Sequence, residues 1–574
     1  MNYSIKFLFV LLLVALFAAI IYYTGYRPFK GTDDAYIYFV YAKNVANGHG
    51  MVYTPGGEKV EGFTSMLWML ITLFCYLLTS HFQYVLMALN VLMVSFALYR
   101  LVRFIDVYYV KDNKSIISMA SLFFLFLVLM VKGYIDWTIF SLLETGLWST
   151  LLILCTVFLL EASMGNTKIP RQRIYFSVLL GLLVLTRPES LLWGTVFVIL
   201  FGFITWNHTK NFRKVINALL FPAGIFILTV ILLISFRLSY FGYPLPNTYY
   251  AKVSANWFYN FKEGIIYFLK YIFVYPLHVL PVGFALISFL IIVIKQLRNV
   301  KRGMEKFAVS QLVNSIIVLV ALSIPLMTGG DHFSLFRLYQ PLVPVFFAQL
   351  FNIPFIQNQF FNIYFNSRKK KYAVLILVLF MLPVIYLMNM PKYFINSEKI
   401  PYKVSLLNDF SFAESHRKES EILNKFFDYI PKPSFGRIWA GGYAFAYDGE
   451  TIDLMGLNNT LMAHATKIKI GLKNHASFDK KTFYRLEPDL IISEFVKDTS
   501  NFILPENSRD FDNSFDNNAM KNIFRDEEFI DLYLPVLITN NKLHLTLFTY
   551  AMKDYIKILE DNGLNVKILI REKK

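Results

Sequence analysis

The run GTDDAYIYFVYAKNVANGHGMVYTPGGEKVEGFTSMLW, Gly31 to Trp68, follows directly on the first membrane-length apolar segment, Phe7 to Tyr23. Two adjacent carboxylates, Asp33 and Asp34, stand where that segment leaves the bilayer, and a Gly-rich stretch with Glu58 and Glu61 comes after them. Acid at a membrane surface, in a chain otherwise this apolar, points to chemistry at the outer face of the membrane. A helix turns about 100° per residue, so only one of two neighbouring carboxylates can point straight into a given site. The other is left to orient it, to bind a cation, or to cap the helix starting near Ala35, for which Thr32–Asp33 before an apolar run is an ordinary signature.

Composition sets the class. The chain has 574 residues, 56% hydrophobic and 17% aromatic, with a mean hydropathy of +0.48. A soluble protein of this length would expose far too much apolar surface, and repeated apolar runs of about 18 or more residues read as transmembrane helices. The net charge of +17 does not call for nucleic acid, because the basic residues cluster between apolar runs, as the positive-inside rule requires. Cys75 and Cys155 both lie in apolar surroundings, so there is neither a disulfide framework nor a CxxC zinc motif.

Topology follows from charge. Lys6 precedes the first apolar segment and no small-residue cleavage site follows it, which predicts an uncleaved helix with a cytoplasmic N-terminus. Met66–Leu78 is short for a span and reads as a juxtamembrane or partly inserted helix on the outer face. The next span, about Tyr84–Leu101, runs into Arg100, Arg103, Lys111 and Lys114. Pairs of spans then return each time to basic loops: about Ile116–Val131 and Leu147–Leu160, Ile174–Thr186 and Ser190–Trp206, a pair between Val215 and Ile294, and Ala308–Met327 with Leu338–Phe355. A last span, about Tyr372–Met388, takes the chain outside. Roughly eleven spans result, with residues 1–390 forming the membrane core and 24–83 its first outer loop.

From about Pro391 the composition turns polar, and residues 391–574 read as a soluble α/β domain on the outer face of an inner (plasma) membrane. Strands are expected at Arg437–Tyr447, Thr451–Met455, Asp489–Glu494 and Leu543–Thr549, with helices at Ala413–Asp428 and Met552–Asn562. The fold class is thus a polytopic α-helical membrane protein with a C-terminal soluble α/β domain.

The outer side collects GTDDAYI, GYIDWTIFSLLETG, LTRPES, FGYPLPNTYYAKVS and TGGDHFSLFRLYQP. Each mixes charge, Gly or Pro, and aromatics. Asp33 or Asp34 is a candidate general base for an acceptor hydroxyl. Glu144 stands at the outer end of a span, where an interfacial Glu is the plain alternative. Arg187 and Glu189 break a helix, which is costly at membrane depth unless they face a cavity or each other; Arg187 suits a phosphate. Asn247, Tyr249, Tyr250 and Lys252 suit a sugar phosphate, or a Pro-rich connector. Asp331 and His332 form a weak metal-ligand pair, and Arg337 anchors a span or a phosphate. On pattern alone, His464 and His475 read as surface residues. There is no Walker motif for ATP-driven work and no G-x-S-x-G nucleophile.

At these residues the chain resembles the membrane arabinofuranosyltransferases of the terminal β-(1→2) type, within the GT-C glycosyltransferases. The likeness is carried by the first outer loop and by LETGLW, LTRPES, PLPNTYYAK, GGDHFSLFRLYQPLVP, IDLMGLNN, the His near 475 and EPDLII, in order along most of the chain. YTPGGEKVEG carries an extra Gly beside the family's Pro-Gly-Glu pattern, a loop change that leaves the acids alone. The resemblance implies a polyprenyl-phosphate sugar donor, arabinofuranose as the sugar, inversion at the anomeric carbon and a glycan or glycoprotein acceptor. Carried over, Asp33 or Asp34 is the base, and the sequence does not separate them. Arg187, Lys252 and Arg337 are expected at the donor phosphate, and Glu144, Glu189, Asn247, Asp331 and His475 at the sugar or acceptor. No cofactor is required, and a divalent cation near Asp33 and Asp34 is kept as a further expectation. Competing readings are a GT-C transferase for a hexose or aminosugar, a lipid or glycan transporter, for which no clear pair of inverted halves is seen, and a scaffold.

Overall fold

A computed structural model describes residues 3–110, 117–165, 170–298, 304–351, 406–499, 502–508 and 510–571. The membrane part opens with α1 (Tyr3–Ile21), α2 (Asp33–Ala46), α3 (Met66–Leu78), α4 (Phe82–Phe104), α5 (Met119–Leu129), α6 (Thr145–Ser163) and α7 (Pro170–Val184). It continues with α8 (Ser190–Thr209), α9 (Phe212–Tyr240), α10 (Asn247–Lys252), α11 (Trp257–Val274), α12 (Val279–Arg298), α13 (Lys306–Thr328) and α14 (Val343–Phe351). Among the described residues, seven helices are long and apolar enough to cross a membrane, those that begin at α1, α4, α6, α8, α9 and α13 and the one that leads into α12. The chain is a multi-pass membrane protein. The expected spans Tyr84–Leu101, Leu147–Leu160, Ser190–Trp206 and Ala308–Met327 fall on these helices, as do the two ends of the Val215–Ile294 stretch. Ile116–Val131 and Ile174–Thr186 meet the shorter helices α5 and α7, Leu338–Phe355 is described only as far as Phe351, and Tyr372–Met388 lies outside the described residues.

The helices sort by what surrounds them. Along α9 the side chains of Phe212, Leu220, Ile227 and Leu232 are exposed, as suits a face turned to lipid. By contrast α6 is buried on every side, packed by α4, α7, α8 and α13. Its N-terminal end therefore opens into the centre of the bundle. The helix α2, between the first span and α3, is amphipathic only weakly and is itself largely buried. It lies under the C-terminal domain, in contact with helices Leu407–Phe426 and Gly442–Ala446.

The C-terminal domain is a six-stranded sheet in the order β2-β1-β3-β5-β4-β6: β1 (Phe435–Arg437), β2 (Thr451–Asp453), β3 (Leu490–Val496), β4 (Tyr533–Asn540), β5 (Leu545–Met552) and β6 (Asn565–Ile568). The β2-β1-β3 edge is parallel and the rest antiparallel. Each face is covered by its own apolar cluster. Leu406, Phe410, Ala413, Ala440, Leu457 and Ala463 belong instead to the core of the membrane bundle, so the domain is seated on the bundle.

One expected strand is corrected. Arg437–Tyr447 pairs in the sheet only as far as Arg437, and Gly442–Ala446 is a short helix. The N–H groups of Gly441 and Gly442, which a strand would offer to a neighbour, are taken by the Asp33 carboxylate, each at 2.9 Å.

The acids Glu58 and Glu61, in the loop between α2 and α3, also hold the fold. Glu61 is buried and forms a two-pronged pair with Arg237 of α9 at 2.8 and 2.9 Å, while Glu58 accepts the N–H of Thr460 at 2.8 Å.

Candidate active site

The first turn of α2 sends its two carboxylates apart, as the helical turn per residue requires. Asp33 points into the C-terminal domain and accepts the Gly441 and Gly442 amides, with His416 Nδ1 3.6 Å away. No side-chain cap from Thr32 is made. Asp34 faces the other way, into a cavity of about 380 Å³. Its carboxylate is 3.3 Å from Lys252 Nζ and 4.0 Å from Arg337 Nη1.

That cavity collects most of the residues singled out from the sequence: Asp34, Glu144, Arg187, Glu189, Lys252, Asp331 and Arg337 all line it. They arrive from five separate places, the start of α2, the N-terminal end of α6, the break between α7 and α8, the end of α10, and the loop after α13. Leu142 and Leu335, just before Glu144 and Arg337, hold positive φ of 55° and 60°. Strained non-glycine backbone of this kind persists only where its surroundings impose it, and it gathers at functional sites.

Two charged groups emerge. In the first, Arg187 pairs with Glu144 and, at 3.0 Å, with Glu189. Tyr38 donates to Glu144 at 2.9 Å and itself accepts the Ser65 amide. The local Arg187–Glu189 contact is therefore present, but it is half of a larger cluster. In the second, Arg337 binds Asp331 at 2.6 and 2.7 Å and lies over the rings of Phe333 and Trp137. Asn474 donates to Asp331 at 2.7 Å.

Burial acts to raise the Asp34 carboxyl, but the charges of Lys252, Arg337 and His332 outweigh it and hold the group below the usual carboxylate range. Asp331 is held well below it in the same way, chiefly by Arg337, and Glu189 is lowered by Arg187 against the effect of burial. Asp34, Asp331 and Glu189 are thus anions, each beside a cation that favours its charged form.

Two expected residues do not line this cavity. Asn247 donates to the carbonyls of Gly456, Leu457 and Asn459 at 2.8, 3.1 and 3.4 Å, tying α10 to the IDLMGLNN segment. His475 lies in an adjoining space of about 30 Å³, lined also by Asp33, Asp34, Lys252 and Trp439. Burial and the neighbouring His332 lower its imidazole to about 3, so it is neutral. The surface reading of His475 is corrected: its ring meets His332 edge-on at 4.6 Å. His464 is likewise half-buried, against Tyr243 and Tyr250.

Sequence reasoning missed Tyr38 and Asn474. Tyr38 was within reach, because it stands four residues after Asp34, on the same helix face. Asn474 had no signal beyond its place next to His475.

Near Asp33 and Asp34, where a divalent cation is a further expectation, Asp33 accepts two amides and Asp34 is met by an ammonium and a guanidinium. Among the described residues no group of three or more His, Cys, Asp or Glu is placed to hold a metal.

Neither a protein-family model nor a curated protein matches the chain. In fold it is similar to the oligosaccharyltransferase of Archaeoglobus fulgidus in its apo form, with a TM-score of 0.51 at 12% identity over 98% of this chain and 76% of that one. A superposition on ArnT from Cupriavidus metallidurans bound to undecaprenyl phosphate gives a TM-score of 0.46 at 11% identity, over 94% of this chain and 97% of that one. The chain has the GT-C fold, a polytopic helical membrane core followed by an α/β domain.

Proposed function

We propose that this protein moves a sugar, arabinofuranose, from a polyprenyl-phosphate donor to a glycan or glycoconjugate acceptor at the outer face of the plasma membrane, with inversion. The N-terminus is cytoplasmic and residues 391–574 lie outside. The observation that carries this reading is the placing of Asp34, Lys252 and Arg337 in one chamber, a carboxylate beside two cations with apolar Leu191, Leu245 and Val253 in the same wall. The fold it shares with an oligosaccharyltransferase supports glycosyl transfer at a membrane.

In this reading the lipid tail stays in the bilayer and the donor phosphate lies against Lys252 and Arg337. Arg187 suits that role less, because two carboxylates, Glu144 and Glu189, already pair with it, whereas Arg337 has one close partner, Asp331, and Lys252 has Asp34 at 3.3 Å. Arg187 with its two carboxylates presents a fixed array for sugar hydroxyls, and Asp331 orients Arg337. Asp33, Asn247 and His475 act on the acceptor side, by seating the C-terminal domain.

Asp34 in the free protein is a weak base, because its cationic neighbours stabilise the carboxylate. An arriving phosphate draws Lys252 and Arg337 to itself and so raises the basicity of Asp34 when it is needed. The acceptor hydroxyl, within about 3 Å, gives its proton to Asp34 as its oxygen attacks the anomeric carbon. The bond from that carbon to the phosphate oxygen breaks, and polyprenyl phosphate leaves with the electron pair, stabilised by the two cations.

The test is turnover by purified protein of synthetic polyprenyl-phosphate pentose and hexose donors with a mixed glycan acceptor, following release of polyprenyl phosphate. Release from the arabinofuranose donor that depends on Asp34 is expected. Release from the hexose alone replaces the sugar, and Asp34-independent release removes the base.

A further inference from the structure

A second built cavity lies at the other end of the bundle. It has a volume of about 190 Å³ and is lined by Arg173 of α7, by Phe201, Thr205, His208 and Thr209 of α8, and by Lys214 and Asn217 of α9, among others. The helix α8 joins it to the chamber: Leu191 lines one and Thr209 the other. That helix is 20 residues long, a rise of about 30 Å, which matches the hydrocarbon thickness of a bilayer. The two cavities therefore sit at opposite membrane surfaces.

The character of this cavity is cationic. Among the described residues its lining includes Arg173 and Lys214 and no Asp or Glu, and the sequence has no Asp or Glu from Ala162 to Tyr175, nor from Trp206 to Ala218. Nε of Arg173 is buried with no hydrogen-bond partner in the protein, whereas the chamber arginines Arg187 and Arg337 each donate to a carboxylate. The polar neighbours His208 and Thr209 are turned to the backbone carbonyls of Ser163 and Thr205. Beside Arg173, α7 carries exposed Ile174 and Val178, a surface on which acyl chains can lie. A guanidinium with a buried, unpartnered Nε, a lysine, a polar floor and an apolar flank together fit a phosphate whose ester chains run along a lipid-facing helix.

We propose that this cavity is a binding site for the phosphate of an anionic phospholipid in the leaflet opposite the chamber. The plain alternative is that these residues only orient the chain by the positive-inside effect. That effect is spread over every basic loop and needs no cavity, so the two can be told apart.

The experiment uses the full chain in nanodiscs of phosphatidylcholine with or without phosphatidylglycerol, and counts lipids retained on gentle delipidation by native mass spectrometry. Wild type is expected to retain phosphatidylglycerol in preference to phosphatidylcholine. Arg173→Gln and Lys214→Gln are each expected to weaken that preference roughly fivefold, about the effect of one charge at a membrane surface. Arg173→Lys, which keeps the charge, should recover part of it. Lys295→Gln removes a charge from α12 without touching the cavity and should change nothing. Equal loss in Lys295→Gln, or no loss in the Arg173 and Lys214 variants, overturns the site. Inorganic phosphate that competes for the site in pure phosphatidylcholine discs would assign it to a soluble phosphate and overturn the lipid.

Discussion

Asp33 and Asp34 are consecutive residues whose carboxylates serve opposite sides of one helix: Asp33 accepts two amides of the C-terminal domain at 2.9 Å each, and Asp34 meets Lys252 in the chamber at 3.3 Å. Their variants should separate. Asp34→Asn keeps the shape and removes the proposed proton acceptor, so kcat should fall by about 10²–10⁴-fold with the C-terminal domain still docked. Asp33→Asn keeps the base and weakens the docking, at a cost of about 1–3 kcal/mol, visible as faster proteolysis of the C-terminal domain. Identical kinetic losses in the two would remove the distinction.

Gly441→Ala tests the same contact from the other side. A Cβ at Gly441 falls 1.8 Å from the carbonyl oxygen of Asp33, backbone against backbone with no side chain to swing away. Hydrogen exchange at Gly442–Ala446 should rise, and the melting temperature in detergent should drop, for a loss of about 1–3 kcal/mol. An unchanged exchange pattern would mean that the domain is held elsewhere.

Arg187→Met leaves buried Glu144 and half-buried Glu189 without their shared cation. Breaking a buried pair from one side costs about 3–5 kcal/mol. Adding Glu144→Gln and Glu189→Gln to Arg187→Met removes the stranded charges and should recover much of the stability while leaving activity low. Thermal unfolding of the single and triple variants decides it; a triple variant no more stable than the single one refutes the charge account.

The pH profile carries a sign. Asp34 lies below the usual carboxylate value of about 3.9, because its cationic neighbours outweigh burial. Its charged form, and the stability drawn from its pairing, are present above that range and are lost as pH falls through the lowered value. Lys252→Met removes one of those cations, so the acid limb of kcat/KM for the residual activity should move to higher pH. A limb that stays in place would show that Lys252 does not act on Asp34.

Much of the membrane part is legible because lipid leaves the chain few choices. Backbone groups must be satisfied within a helix, and Lys and Arg must stay at one end; α4, α8 and α13 read directly from those constraints. The chamber residues were legible as types, because charge at membrane depth is rare enough to stand out. Their partners were not. Glu144 reaches Arg187 from another helix, and the choice between Asp33 and Asp34 rests on Gly441 and Gly442, some four hundred residues away. The strands β4 and β6 were missed because YLPVLITN holds a Pro and NVKI is a short, exposed edge. Asn247 was read as a ligand contact because a buried Asn that bonds three carbonyls looks, in sequence, like one that bonds a sugar.

The burial of α6 on all sides bears on how the protein is made. This helix carries Thr145, Ser149, Thr150, Thr156 and Glu161. Thr150 and Thr156 close on carbonyls of their own helix, whereas Glu161 pairs with Arg100 of α4 and the Ser149 hydroxyl donates to the Pro341 carbonyl near α14, at 2.7 Å. A helix this apolar can enter the bilayer by itself, but the Ser149 bond has to wait until the region of Pro341 has been made. The helix that carries Glu144 into the chamber therefore takes part of its final bonding from a segment synthesised well after it.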